Sequence, residues 1–512
     1  MTQEQKEYYQ YRLLEIIPGF LTWVTLLGII IISLVKPLLG IYIIIIFDVY
    51  WVLRVTYLAI FILISWFRYR KTIKTNWWEY LQTNHPEWKD YTHLVFLPTA
   101  GEPFEVVDRT FENLAKLKYD QKKIIVILGG EARLVNNFQP TADKIKAKYQ
   151  NIFQEVIITL HPDNLVGELR GKGANLYHMG HEVKKYVDSH GFDYKKLIVS
   201  AFDVDTITSD NYFACLTYKF LSHPDPYHTS FQPLAFYHNN VWGSDPFTRV
   251  VANSTTFWLL TDLARPDRLF TFSSHSMSWQ ALIDVGFWQN NIVTEDSRIF
   301  LQCLLKYDGH YQTEAMYATV SMNSPYVGPF WRSMVNQYKQ MRRWAWGVEH
   351  FPYMVWQFSK NKKIPFKKKF IYVWNQTEGV YSWATAPLII LILGHLPLYM
   401  AQVYNLSTAL AQNTPLILER LMRFGLVGLF MIAVMSTLIL PPFPEKTWSG
   451  KKIYNYALIV LQWFTFPITM IIFGSIPAVD AQDQDEKRQV VAEERQHGES
   501  TAWPWIWQTR DS

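Results

Sequence analysis

A mostly parallel, doubly wound α/β sheet, set between two groups of membrane-spanning helices, is the fold class this sequence predicts. Three observations predict it. Apolar residues concentrate in five long runs, at residues 16–35, 38–67, 370–400, 417–440 and 453–473, although hydrophobic residues make up only 49% of the 512-residue chain. Residues 76–344 between the second and third runs have the mixed composition of a soluble domain. Inside that stretch short apolar runs alternate with helical patterns, as strands joined by helical crossovers do.

Each run reaches the roughly 20 apolar residues needed to cross a bilayer. The first is not a cleaved leader, since a second run follows within three residues and no small-residue cleavage site separates them. Arg68, Arg70, Lys71 and Lys74 follow the second run, while Lys360, Lys362, Lys363, Lys367, Lys368 and Lys369 precede the third. Positive flanks face the cytosol, so the middle domain is expected there, in a protein integral to the plasma membrane. The divisions that follow are a membrane hairpin over 1–75, a cytosolic domain over 76–345 and an interfacial amphipathic helix over 346–369. Membrane helices over 370–475 and a polar tail over 476–512 ending in Trp503, Trp505 and Trp507 complete the chain. Breaking the 370–400 run into a re-entrant pair would make six crossings of five and return the tail to the cytosol.

Two cysteines, Cys215 and Cys303, make no disulfide framework, and a net charge of +5 beside so many membrane-flanking lysines calls for no nucleic-acid partner. Strands are expected at 94–97, 124–128, 156–160, 197–200 and 234–237, with helices at 104–117, after Pro103, and at 174–187, after Gly171-Lys172-Gly173. In such sheets ligands sit beyond the carboxyl ends of the strands, which directs attention to residues 99–102, 129–131, 161–164 and 202–205.

The strand at 197–200 runs into Asp203-Val204-Asp205. On an extended backbone alternate residues share a side, so both carboxylates can share a magnesium or manganese ion, or divide its ligation with a ribose. Such an ion would hold a diphosphate and offset the charge that develops as it leaves. An Asp-x-Asp also arises on solvated loops. Further on come Val293-Thr294-Glu295-Asp296, which also suits a helix start capped by Thr294, and Gln340-Met341-Arg342-Arg343-Trp344, which also suits a helix anchored at the headgroup boundary.

This ordered set, Asp-x-Asp, then Thr-Glu-Asp, then Gln-x-x-Arg-Trp before membrane spans, resembles the family-2 glycosyltransferases of the processive type: the cellulose, chitin and hyaluronan synthases. The resemblance covers roughly residues 90–350 and implies the glycosyltransferase type A fold. It implies that Asp296 is the general base, with Glu295 beside it in the catalytic pair, that Arg343 contacts the donor diphosphate, and that Gln340 and Trp344 serve the acceptor. The segment Gly171-Lys172-Gly173-Ala174-Asn175-Leu176 is similar to a Lys-Ala-Gly-Asn-Leu segment of those enzymes, which would put Lys172 at the diphosphate. Pro98-Thr99-Ala100-Gly101-Glu102 is similar to their Pro-x-x-Asn-Glu opening, so Thr99, Ala100 and Glu102 would line the nucleotide, unless Glu102 serves only the helix after it. Where most members carry an aspartate pair after the second strand, this chain has Gly129-Gly130-Glu131, so the usual base-reading carboxylate is absent or replaced by Glu131. His275, in Thr271-Phe272-Ser273-Ser274-His275-Ser276, either contacts acceptor hydroxyls or packs in its loop. His178 and His181, one helical turn apart, lack a third metal ligand.

Asp48 and Arg54 fall inside an apolar run, where ionisable groups face a bundle interior or a polar path, or else snorkel to an interface. Six residues apart, they point about 120° from each other on a helix and do not pair. The expected activity is inverting, metal-dependent transfer of a hexose from a nucleotide sugar to a polysaccharide or lipid acceptor at the membrane, as in cell-envelope polysaccharide biosynthesis, with membrane lipid and other envelope-biosynthesis subunits as companions. The competing expectation is a chain without catalysis that keeps the fold to bind a nucleotide or a partner.

Overall fold

The computed structural model describes residues 2–406, 408–439 and 452–483. Its centre is one eight-stranded sheet of β1 (Thr92–Pro98), β2 (Ile124–Glu131), β3 (Glu155–His161), β4 (Leu197–Ala201), β5 (Ile207–Thr208), β6 (Thr229–Phe236), β7 (Ser276–Ser278) and β8 (Gln312–Ser321), in the order β3-β2-β1-β4-β7-β6-β8-β5. The first four strands are parallel, as the alternation of strand and helix implies. The other half is mixed: β7 runs antiparallel between β4 and β6, β8 is parallel to β6, and β5 is antiparallel to β8. The chain therefore departs from a purely doubly wound sheet after β4.

Alternation along the strands sends side chains into two core layers. Val95, Leu97, Val126 and Leu128 pack with Phe111 and Phe138 from the helices Phe104–Ala115 and Val135–Tyr149. Leu94, Phe96, Ile125 and Ile127 pack instead with Leu176 and Met179 of the helix Lys172–Ser189 and with Phe300 of the helix Glu295–Lys306. Strand order reverses between β1 and β4, and a crevice opens there beyond the strand ends.

The N-terminal hairpin consists of the helices Gln3–Val35 and Pro37–Lys74, parted at Lys36, with Pro37 in the first turn of the second. Among the described residues three helices are long and apolar enough to cross a membrane, Gln5–Val35, Pro37–Lys74 and Ala457–Asp483. The expected third run forms Phe366–Leu391 and Leu393–Val403, which pass the same test together but meet at a 49° bend. Pro397 lacks the amide that would continue the ladder across that break. The run at 417–440 lies in the helix Ala409–Ile439, packed along Pro37–Lys74. The interfacial segment expected at 346–369 is a turn, Trp346–Glu349, then the helix His350–Lys360, and Phe366 already begins the next helix. Helix continues through Asp483 rather than giving way to a tail at 476, and Gln482 accepts a hydrogen bond from Thr22 Oγ1 at 2.8 Å. Trp503, Trp505 and Trp507 lie outside the described residues.

Candidate active site

A cavity of about 2830 Å3 occupies the crevice and continues down between the membrane helices. Asp203, Asp205, Lys172, Glu295, Asp296, Gln340, Arg343 and Trp344 all line it, together with Thr99, Ala100, Glu102 and Glu131. Motifs far apart in the sequence thus share one space.

Lys172 is the junction. Gly171, with φ of 154°, turns the chain into the helix Lys172–Ser189 through backbone space that favours glycine, and Gly173 lets that helix approach the start of the next motif: a Cβ there would lie 3.0 Å from the Gln289 carbonyl and 3.2 Å from Glu295 Cβ. The Lys172 ammonium consequently lies 2.7 Å from Asp203, 2.8 Å from Asp296 and 3.8 Å from Glu295. Ser273 Oγ donates to the second oxygen of Asp203 at 2.6 Å, and Thr271 Oγ1 donates to the Asp296 carbonyl at 2.6 Å.

Residues 203–206 form a turn, closed by the Thr206 amide on the Asp203 carbonyl at 3.0 Å, so the two aspartates are not placed by extended alternation. Both still line the cavity, with Asp205 Oδ2 accepting from the Asn323 amide at 2.9 Å. Burial and the charge of Asp203 raise Asp205 to about 6. Asp203 keeps about a third of its side chain exposed, and Lys172 and the Ser273 hydroxyl hold it below the usual carboxylate range. Burial and neighbouring Asp296 push Glu295 well above that range.

Gln340, Arg343 and Trp344 project from the helix Phe330–Ala345. Arg343 is exposed, donates to Gln340 Oε1 at 3.0 Å and acts electrostatically on Asp203 and Glu295. Trp344 rests against Tyr237, ring centres 5.4 Å apart. Neighbouring Arg342 turns away to Asp480 at 3.0 Å, so the adjacent arginines divide between the cavity and the membrane helices.

Residues 198–474, more than half the chain, match the family described as glycosyl transferase family group 2. The chain belongs to that family. Among curated proteins none matches its sequence. Among solved structures it is similar to the mannosyltransferase PcManGT from Pyrobaculum calidifontis in complex with GDP-Man and Mn2+, at 12% identity and a TM-score of 0.40 over 82% of this chain and 96% of that one. It is also similar to residues 1–349 of TarS from S. aureus in complex with UDP-GlcNAc, at 11% identity and a TM-score of 0.36 over 81% and 94%.

In this glycosyltransferase several residues are engaged otherwise than the sequence implies. Glu102 closes its own loop, accepting from the Thr99 hydroxyl and from the Ala100 amide at 2.8 Å. Glu131 ends β2 in an ion pair with Arg133. His275 is fully buried and does not line the cavity; its Nδ1–H donates to the Phe272 carbonyl at 3.0 Å and lies 3.8 Å from Asp296, and its Nε2 accepts from Trp288 at 3.5 Å, so in this structure it packs in its loop. Thr294 stands at a helix start without capping it, because its hydroxyl donates to Glu349 instead. His178 faces His161 and His181 packs against Phe287, and no cluster of three His, Cys, Asp or Glu able to hold a metal occurs among the described residues.

Four contributors escape sequence reasoning: Ser273, Asn323, Tyr237 and the Arg298–His350 contact, in which Arg298 Nε donates to His350 Nδ1 at 3.1 Å and ties the Thr-Glu-Asp helix to the segment after Gln-x-x-Arg-Trp. Asn323 acts through its amide, so its residue type carries no signal. Ser273 lies in the segment quoted for His275, but nothing in its spacing ties it to Asp203.

Proposed function

We propose that the chain is an inverting glycosyltransferase that moves a hexose from a nucleoside-diphosphate sugar to a polysaccharide or lipid acceptor at the cytosolic face of the membrane. One observation carries the reading: Lys172 draws Asp203 of Asp-x-Asp and Asp296 of Thr-Glu-Asp onto a single ammonium group inside the cavity that Arg343 also lines.

In this scheme the donor diphosphate lies between Lys172 and Arg343, whose charged donors suit phosphate oxygens. As it arrives it competes with Asp296 for Lys172, and the freed carboxylate accepts the proton of the acceptor hydroxyl. The hydroxyl oxygen bonds to the anomeric carbon, the bond to the diphosphate breaks, its electrons leave with the nucleoside diphosphate, and one displacement inverts the centre. Trp344 and Gln340 flank the acceptor. Asp205, crowded by Asp203 and short of counter-charge, suits a hard divalent cation such as magnesium or manganese, with Asp203 beside it. When bound, such an ion would neutralise charge on the departing diphosphate. The remaining ligands would come from phosphate oxygens and water.

The test is transfer from a panel of radiolabelled nucleotide sugars to membranes holding the protein, with magnesium or manganese, beside Asp296→Asn. Expected are one productive donor and loss of transfer in the variant with donor binding kept. A product ladder would mark a polysaccharide, and a single lipid-linked product a lipid acceptor. Undiminished turnover by Asp296→Asn removes the base from the scheme.

A further inference from the structure

Where the cavity enters the membrane helices it passes a cluster of buried charges. Arg54 reaches Glu378 of the helix Phe366–Leu391 at 2.6 Å. Arg268 reaches the same carboxylate at 3.6 Å and Asp262 at 3.4 Å, and Arg265 reaches Asp262 at 3.4 Å while its guanidinium lies over Tyr57, 5.0 Å from the ring centre. Side-chain exposure is 18% at Arg54 and 9% or less at the other four. These ion pairs join Arg54, Arg265 and Arg268 to Asp262 and Glu378, so among the described residues three cations share two anions. The Nε atoms of Arg54 and Arg265 are buried without an acceptor among the described residues. An unmatched guanidinium withdrawn from water is costly, and this cluster is one negative charge short.

The cluster opens onto the path to the reaction centre. Arg54, Asp262, Arg265 and Arg268 line the cavity, and Val251, Thr255, Trp258 and Asp262 form one lining face of the helix Pro246–Leu263, about 16 Å long at 1.5 Å per residue. Trp258 meets Phe272 edge-on at 4.8 Å, and the next residue, Ser273, holds Asp203. Arg268 precedes Thr271, which holds the Asp296 carbonyl, by three residues, at most about 10 Å of chain. Leu58, Ala59, Pro387, Ile390 and Leu391 give the cavity apolar walls among the membrane helices.

A neutral sugar chain has no use for an excess buried cation, whereas a phosphate ester supplies the missing charge and oxygens that fit guanidinium forks. We infer that Arg54, Arg265 and Arg268 hold the phosphate headgroup of a lipid-linked acceptor whose hydrocarbon chain lies along the apolar walls. This rests on the glycosyltransferase reading and chooses the lipid between its two acceptor classes.

The full chain in detergent micelles would be offered a long-chain polyprenyl monophosphate, the same polyprenol without phosphate, and inorganic phosphate as competitor, with retention measured by native mass spectrometry. Expected is a preference of about tenfold or more for the phosphate over the alcohol, resistant to equimolar inorganic phosphate. Arg265→Gln and Arg268→Gln should abolish it while nucleoside-diphosphate binding, the control for folding, persists. Equal retention of phosphate and alcohol overturns the inference, as does a preference that survives both substitutions. Displacement by equimolar inorganic phosphate assigns the cluster to a free anion and overturns it too. Should either variant fail the folding control, the wild-type comparison decides alone. Retention needs no turnover, so loss of sugar transfer with the preference intact counts against the enzymatic reading only.

Discussion

Lys172 Nζ contacts both carboxylate oxygens of Asp296, at 3.1 and 2.8 Å, across 124 residues of sequence. The same ammonium serves Asp203 and lies near Glu295, and burial, which alone would favour its neutral form, is outweighed by these three charges, so it stays protonated. The residue is therefore both the structural tie of the site and, in the proposed scheme, its donor clamp.

Replacing Lys172 with methionine should leave three carboxylates facing one another without their common counter-charge. Breaking a buried pair from one side costs about 3–5 kcal/mol, and the lower end applies where the ammonium keeps 21% exposure. Thermal melting should fall by several degrees and donor binding should be lost, with Lys172→Arg retaining most of the stability. A methionine variant that melts with the wild type would show that the carboxylates need no common cation.

Arg343 separates binding from stability. It is exposed, and among the described residues its hydrogen bond is to Gln340, so Arg343→Ala should shift stability by no more than about 0.5 kcal/mol. A charge-assisted hydrogen bond is worth about 1.5–3 kcal/mol, so the nucleotide-sugar Kd should rise about 10- to 100-fold. Calorimetric titration beside a melting curve checks both, and an unchanged Kd would leave Arg343 as a membrane-surface anchor.

Glu295 gives a pH dependence of definite sign. Burial and Asp296 raise its folded pKa above the unfolded value, so between the two the folded state holds the extra proton. Stability tied to this group is complete below the unfolded carboxylate pKa and is lost as pH rises through the folded one. Melting of the ligand-free protein should therefore fall from about pH 5 to about pH 8 more steeply than that of Glu295→Gln, whose side chain does not titrate. Parallel curves would mean that Glu295 titrates as an ordinary carboxylate.

The parallel half of the sheet was legible because buried strands read as unbroken apolar runs, and β1, β2, β3 and β4 hold such runs. In the other half only the end of β6, expected at 234–237, was legible, since β5 and β7 have only two and three residues and β8 mixes Gln312, Thr313 and Glu314 with its apolar positions. Motif order identified the acids and the arginine that share the cavity. It could not reveal that His275 is locked inward by Trp288, or that Glu102 is spent on its own loop, because both depend on partners that spacing does not name.

The Gly129-Gly130 pair, read from sequence as a missing base-reading carboxylate, has a packing cause. Gly130 pairs with Leu160 inside the sheet, and a Cβ on it would lie 2.4 Å from the ring of Phe138, which is buried at the first layer of the core. A phenyl ring held on all sides cannot give way by that much, and overpacking of this kind costs about 1–3 kcal/mol. Gly130→Ala should therefore lower melting by several degrees, and by displacing Glu131 at the strand end it should weaken nucleotide binding as well. Phe138→Leu in the same chain makes room for the methyl group, so the double variant should be more stable than the two single losses added together. Strict additivity would break the link between the glycine and that ring, and would return the pair to a role in reading the base.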